Sequence, residues 1–326
     1  MTLFDGIRKN KFLIIGRVGV DFFPDPPGTK TEDAETMSVG MGGSSANIAA
    51  GIVKLGGEAA LVTSVSDDSI GRYCINQLRH YGIDYKYVRS VGGELRNSLA
   101  VYESRITDHQ SVIYRNGAAD FEMTRADIEK VNFNEYGALI TAGTVFASEP
   151  SRSASFLAFE LARQAGIPII FDVDYRPYSW PSAEVAEDVL SQAATLANAI
   201  IGNDDEFGFM SGQKEKGLNK ARELANATAE LVIYKMGETG SITMLGSDEF
   251  HTGIYQVNAL KPTGAGDSFM AGFVSSIANG YDLREAVLRG SACAAITVSR
   301  PGCAPAMADN ITLNNFLKNY TGLTDD

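Results

Sequence analysis

Residues Lys261 to Phe273 read KPTGAGDSFMAGF and set one carboxylate, Asp267, directly behind three residues with almost no side chain, Gly264, Ala265 and Gly266. Met270, Phe273, Val274 and Ile277 recur at i, i+3, i+4, i+7, and Asn279-Gly280 closes the run. A helix is therefore expected from about residue 265, with Asp267 in its first turn. The first amides of a helix have no intrahelical partner, and residues without bulk let an anion approach them. The chemistry open to such a stretch is phosphoryl transfer: the amides hold charge building on a phosphoryl group while the carboxylate takes the proton of an attacking alcohol. The bland alternative is an acid complementing a helix dipole beside glycines that permit tight packing.

A second constellation is GMGGSSANIAAG, residues 40–51. Gly42 and Gly43 permit close backbone approach, and Asn47 falls in the first turn of the next helix with its amide free to meet hydroxyls. The spacing is not GxGxxG and no GxxxxGK[ST] occurs, so neither a dinucleotide fingerprint nor a P-loop is present. This argues against an oxidoreductase, the first competing class. His80, His109 and His251 form no HExxH pattern and no GxSxG elbow exists, so hydrolytic triads and histidine metal sites find no support. Cys74, Cys293 and Cys303 form no CxxC pair and read as reduced packing residues.

With 40 acidic against 28 basic residues, the net charge of −12 argues against nucleic-acid or membrane surfaces. An anionic substrate would have to be met by a few local arginines. Arg115 in VIYRNGAAD and Arg176 in DVDYRPYSW stand out, and a planar guanidinium suits a carboxylate, which favours a sugar acid over a neutral sugar. The structural alternative for each is an ion pair with a neighbouring acid, Asp120 or Asp174.

The elements that must position these residues are short β-branched runs alternating with helix-period segments, the pattern of βα units around a largely parallel sheet. Strands are expected at 12–15, 60–65, 138–142, 168–173, 199–202, 231–235, 242–245 and near 250–255. Helices are expected at 45–55, 71–81, 153–165, 183–197, 218–227, 265–278, 283–298 and 313–319. Ligands of open α/β sheets sit beyond the carboxyl ends of the strands. Four apolar runs lead there to polar signatures: FLII to Asp21, PIIFD to Asp174 and Arg176, AIIG to Asn203 and Glu206, and LVIYK to MGETG. Segments 17–39 and 92–121 lack helix periodicity and are read as a small separate sheet. The rest, 1–16, 40–91 and 122–326, is the α/β core. The longest apolar runs are too short to span a bilayer, and cytoplasmic residence is expected.

Together the two glycine motifs resemble the signatures of the ribokinase-type (PfkB) carbohydrate kinases, GGxxxN early and GAGD late, and the resemblance covers essentially the whole chain. It implies a doubly wound, ribokinase-like α/β core with a small β lid, Asp267 as catalytic base, the amides of Gly264, Ala265 and Gly266 as anion hole, and ATP with Mg²⁺ as donor. NDDE resembles the family's NxxE, which puts Asn203 and Glu206 near the metal and phosphates. KMGETG resembles its nucleotide turn, with Lys235, Gly237 and Gly240 beside ATP. Asp21 looks like the residue that binds sugar hydroxyls with Gly42, Gly43 and Asn47. Many relatives have Asp-Thr before GAGD in a monovalent-cation site, where this chain has Lys261-Pro262, so a fixed ammonium is expected to replace the ion. Lids of the family often pair into homodimers. The segments YRNGAAD, DYRPYSW and GRVGVDFFPDPPGT look most like the branch that phosphorylates the terminal hydroxyl of a keto-deoxy sugar acid in myo-inositol catabolism. The DxNxR and YYR patterns of 2-keto-3-deoxygluconate kinase are close, but Asp174 stands in place of that Asn and Ile113 in place of a tyrosine. A catalytically silent regulator on the same fold is the remaining class, and the intact Asp267 motif speaks against it.

Overall fold

The computed structural model describes residues 1–320. Thirteen strands occur among these residues in chain order: β1 Lys11–Ile15, β2 Gly19–Asp25, β3 Thr36–Gly42, β4 Glu58–Ser66, β5 Asp84–Val91, β6 Leu99–Tyr102, β7 Ser111–Tyr114, β8 Ala138–Ala142, β9 Ile169–Asp172, β10 Ala199–Asn203, β11 Leu231–Lys235, β12 Ser241–Leu245 and β13 Asp248–Thr252. Nine form one sheet in the order β13-β12-β11-β10-β9-β8-β1-β4-β5, parallel except for β12 and β13. The central strands are buried on both faces, which is why they read as unbroken apolar runs. Along β1 the side chains alternate between two cores: Leu13 and Ile15 join Phe146, Phe159 and Phe171 on one face, and Phe12 and Ile14 join Ile48, Met270 and Phe273 on the other.

The chain builds outward from β1 through β4 to β5, then returns to the other side of β1 and builds through β8 to β11. The order therefore reverses between β1 and β8, where a crevice opens at the strand ends. Two helices border it. Ser44–Lys54 and Ala265–Ala278 lie so close that a Cβ on Gly51 would come within 2.6 Å of the Ala271 methyl.

The second sheet has the order β3-β2-β6-β7. Cross-strand partners share a face. Asp21, Ala100 and Ile113 are in register on one face, and Phe22, Val39, Val101 and Val112 on the other. The first face packs Ala100 and Ile113 with Phe23, Tyr102 and Cys303, and the second leaves Val39 and Val112 exposed.

Four elements escape the sequence patterns, among them the five-residue helix Arg125–Glu129. β5 is an edge strand whose burial only partly alternates and whose outward positions include Asp84, Lys86 and Ser90, so no apolar run marks it. The helix Leu3–Ile7 has five residues, too few for a period to show. The helix Asp204–Met210 starts at NDDE, whose Asn and Glu form its cap, but its seven residues are too few for a period to show. The three cysteines are free and buried, as composition suggests. None of the described helices is long and apolar enough to cross a membrane.

Candidate active site

The helix Ala265–Ala278 begins at Gly264, whose φ of 82° is left-handed and closed to most side chains. Ser268 N is the first amide to bond back into the helix, to Gly264 O at 3.0 Å. Asp267, partly buried, accepts a 2.8 Å hydrogen bond from Asn47 Nδ2. Burial, with Asp174 nearby, pushes its carboxyl up to about 6 against the opposing pull of Asn47, Arg176 and Lys235. Lys235, at the end of β11, brings its ammonium to the helix start: a Cβ on Gly266 would lie 3.3 Å from Nζ. Lys261 is fully buried, and its Nζ donates to Thr263 O at 2.7 Å and Thr297 O at 3.2 Å. Burial lowers its pKa.

On the other side of the crevice, the turn at Gly42 and Gly43 closes against β2. A Cβ on Gly42 would sit 1.9 Å from Asp21 Oδ1, and one on Gly43 (φ +98°) would strike Arg17 O at 2.4 Å. Asp21 is 2% exposed, and burial pushes it up to about 7 while Arg17 opposes. Asp21 Oδ1 and Asn47 Oδ1 are buried without a hydrogen-bond partner, two acceptors left open for ligand hydroxyls.

Asp267, the helix start, Lys235, Asp21, Gly43 and Asn47 line one cavity of about 580 Å³, which also receives Arg115, Arg176, Asn203, Glu206, Gly237 and Gly240, while Gly42 and Lys261 lie outside its lining. Asn203 and Glu206 form a reciprocal cap on the helix they begin: Asn203 Oδ1 accepts from Glu206 N at 2.9 Å, and Glu206 Oε2 accepts from Asn203 N at 2.8 Å. Glu206 is buried, and burial raises its pKa. Gly237 (φ +57°) has nothing within 4 Å of a notional Cβ, so the β11–β12 turn presents open backbone to the cavity.

Both arginines singled out in the sequence reach this cavity, each already holding the acid named as its alternative partner. Arg115 donates through Nε and Nη2 to Asp120 Oδ2, at 3.1 and 2.5 Å, and through Nη1 to Thr144 O at 3.0 Å. Arg176 Nη2 lies 2.8 Å from Asp174 Oδ1, with its side chain 47% exposed. Among the lining residues without an expected site role are Asp172, Asp174, which the sequence marks only as a strand-end signature and partner of Arg176, and Arg17. Asp172, the last residue of β9, is pushed up to about 8 by burial, with Lys235 opposing and Glu206 and Asp174 reinforcing; its place at a strand end was the available signal. Asp174 has φ +33° and is held low by Arg176 against its burial. Arg17 follows β1 in the same GRVGVD segment that yielded Asp21. Burial alone would lower its pKa, but Tyr102, Asp120 and Asp21 keep it above the ordinary value.

The arrangement combines helix-start amides, of which Ala265 N makes a long 3.4 Å bond to Pro262 O, with a raised carboxylate and a cationic Nζ, the parts needed to move a phosphoryl group to an alcohol. The sequence profile described as pfkB family carbohydrate kinase matches residues 9–310. The chain belongs to that family. It is accordingly an ATP-dependent carbohydrate kinase, and the family's donor is ATP with a divalent metal ion. The chain is 34% identical over 311 residues to the 5-dehydro-2-deoxygluconokinase of Photobacterium profundum, covering 94% of each. To the protein of the same name from Geobacillus kaustophilus it is 33% identical over 322 residues, 97% of this chain and 96% of the relative. The fold matches that of fructokinase from Vibrio cholerae O395 in its fructose, ADP and calcium ion bound form, with a TM-score of 0.82, 22% identity, and 94% and 99% of the two chains covered.

Among the described residues no cluster of three His, Cys, Asp or Glu side chains is built to hold a metal by itself. Mg²⁺ keeps several waters and takes one or two carboxylates beside nucleotide phosphates. Glu206 and Asp172, buried and facing the same cavity as Lys235, fit an ion that arrives with the nucleotide.

Proposed function

We propose that this kinase transfers the γ-phosphoryl group of ATP to the terminal primary hydroxyl of 5-dehydro-2-deoxy-D-gluconate. The observation that carries the reading is the identity of 34% along 94% of a relative with that activity in its name. It agrees with three arginines lining one cavity of an acidic chain.

In this reading Asp267 orients the acceptor hydroxyl and takes its proton, with Asn47 fixing the carboxylate through the 2.8 Å bond. The amides of Gly264, Ala265 and Gly266, with Lys235, hold the charge that spreads over the phosphoryl oxygens. Asp21, Gly42, Gly43 and Asn47 receive the sugar hydroxyls, and Arg115 and Arg176 add positive potential at the acceptor end. Asn203, Lys235, Gly237 and Gly240 border the nucleotide. A divalent ion, when bound, neutralises phosphate charge, and Glu206, with Asn203 and Asp172 beside it in the cavity, would hold it through its waters.

Lys261 takes the place of a monovalent cation: its ammonium, on two backbone carbonyls, puts a fixed charge beside the helix start. The four-stranded sheet acts as the lid over the acceptor and excludes water from it. Its outer face, with Met37, Val39, Val112 and Tyr114 41% to 64% exposed, suits pairing with a second copy. The reaction belongs in the cytoplasm, where ATP is supplied. A coupled ADP-release assay over neutral sugars and keto-deoxy sugar acids tests the reading. Higher kcat/KM for 5-dehydro-2-deoxy-D-gluconate than for fructose, ribose or 2-keto-3-deoxygluconate is expected, and preference for a neutral sugar refutes it.

A further inference from the structure

Three guanidinium groups line the cavity, and they differ in what they already hold. Arg115 is fastened at Nε, Nη1 and Nη2 by Asp120 and Thr144 O, and it lies over the Phe121 ring at 4.1 Å. Arg176 is half exposed, bonded to Asp174 and to Tyr175 O. Arg17 is 8% exposed, and its guanidinium makes one hydrogen bond among the described residues, from Nη1 to Ser98 Oγ at 3.1 Å. No carboxylate lies within ion-pair distance of it among those residues: Asp120 Oδ2 is taken by Arg115, and Asp21, with its Oδ1 open, makes no bond to it.

A guanidinium carries five N–H donors in a planar fork. Asp120 and Asp21 favour its charge through space, but burying most of those N–H donors unmet is unfavourable, so the fork is suited to a ligand that completes it. Its backbone is fixed on two sides. Arg17 O accepts from Ala46 N at 3.2 Å, and the next residue's carbonyl accepts from Asn97 Nδ2 at 3.2 Å. The root of the side chain is therefore fixed, and burial with the Ser98 bond limits where the fork can lie.

We infer that Arg17 is the residue that binds the carboxylate of the acceptor, with two N–H groups of its fork bonding the two carboxylate oxygens and Ser98 orienting it from behind. Arg115 then serves to hold Asp120 and the wall of the site, and Arg176 adds charge at the rim. The inference rests on the sugar-acid reading above and sharpens it, because it assigns selectivity for acids to a position that the sequence patterns passed over.

The test compares Arg17→Gln and Arg17→Lys with the wild type on two acceptors, 5-dehydro-2-deoxy-D-gluconate and its neutral analogue reduced to an alcohol at C1. Arg17→Gln is expected to raise KM for the acid about 30- to 100-fold, the size of a lost charge-assisted pair, with kcat changed less than about threefold. KM for the neutral analogue should stay within about threefold. Arg17→Lys keeps the charge without the fork and should fall between. ATP affinity by calorimetry and the melting temperature report whether the variants are folded; if Arg17→Gln is not, Arg17→Lys alone decides by its acid-to-neutral KM ratio. An unchanged ratio in a folded variant overturns the inference while wild-type preference for the acid leaves the proposed function standing. A wild type with no such preference overturns both.

Discussion

Replacing Asp267 by Asn should make the protein more stable and almost inactive at once, and the structure sets the size of both effects. The unfolded chain releases the Asp267 proton near 3.8, the folded chain near about 6. Between those values the native state keeps a proton that the unfolded state has lost. Stability from this group is therefore complete below 3.8 and declines as pH rises through 6, until the full difference of about 2 pH units, or about 3 kcal/mol, weighs against the native state. Asn is nearly isosteric, does not ionise, and can still accept from Asn47 Nδ2 at this site. Relative to wild type it should gain about 1.5 kcal/mol at pH 5 and about 3 kcal/mol at pH 8. For a chain of 326 residues this corresponds to Tm increments of about 2 and 4 °C. Calorimetric melts across that range read the difference directly, and effects of other titrating groups cancel between the two proteins. Loss of the base should lower kcat by about 10²- to 10⁴-fold, with ATP binding preserved. A Tm difference that is flat with pH, or a variant with wild-type turnover, refutes the account of Asp267 as a carboxylate held at a cost for its chemistry.

Gly42→Ala would set a methyl 1.9 Å from Asp21 Oδ1, so that carboxylate must swing away, and KM for the acceptor should rise by about tenfold or more while KM for ATP is unchanged; equal effects on both substrates count against the placement of Asp21. Wild-type turnover should be the same in sodium and potassium buffers, whereas Lys261→Ala, which strands Thr263 O and Thr297 O, should lose about 3 kcal/mol in denaturant melts and recover part of its activity with K⁺; strong K⁺ stimulation of the wild type contradicts the fixed-ammonium reading. Val39→Glu on the outer face of the four-stranded sheet should convert a dimer to monomers in sedimentation experiments, and a wild type that sediments as a monomer rules out pairing through that face.

The architecture was largely legible because its signals are local. Continuous apolar runs mark strands covered on both faces, and the period of Met270, Phe273, Val274 and Ile277 marks the helix that carries Asp267. β5 was not legible, since an edge strand has one half-solvated face and no run to read. The grouping of Gly264, Ala265, Gly266 and Asp267 was readable for the same reason as the helix: the amides and the acid lie within four consecutive residues, so their geometry follows from one helix start.

The sequence by itself determined that Gly264 to Asp267 form one helix start with its amides and acid together, because backbone donors at a helix end need only their own neighbours. Tertiary structure alone decided which cations remain free for the acceptor. Asn47 and Asp267 are 220 positions apart, and Arg17 and Ser98 are 81 apart. Arg115 and Arg176 stand out in the chain, yet each meets an acid of its own, while Arg17 is left with most of its fork open. Whether a guanidinium is neutralised depends on which carboxylates the sheets bring within a few ångströms of it, and that distance is set by how the strands pair.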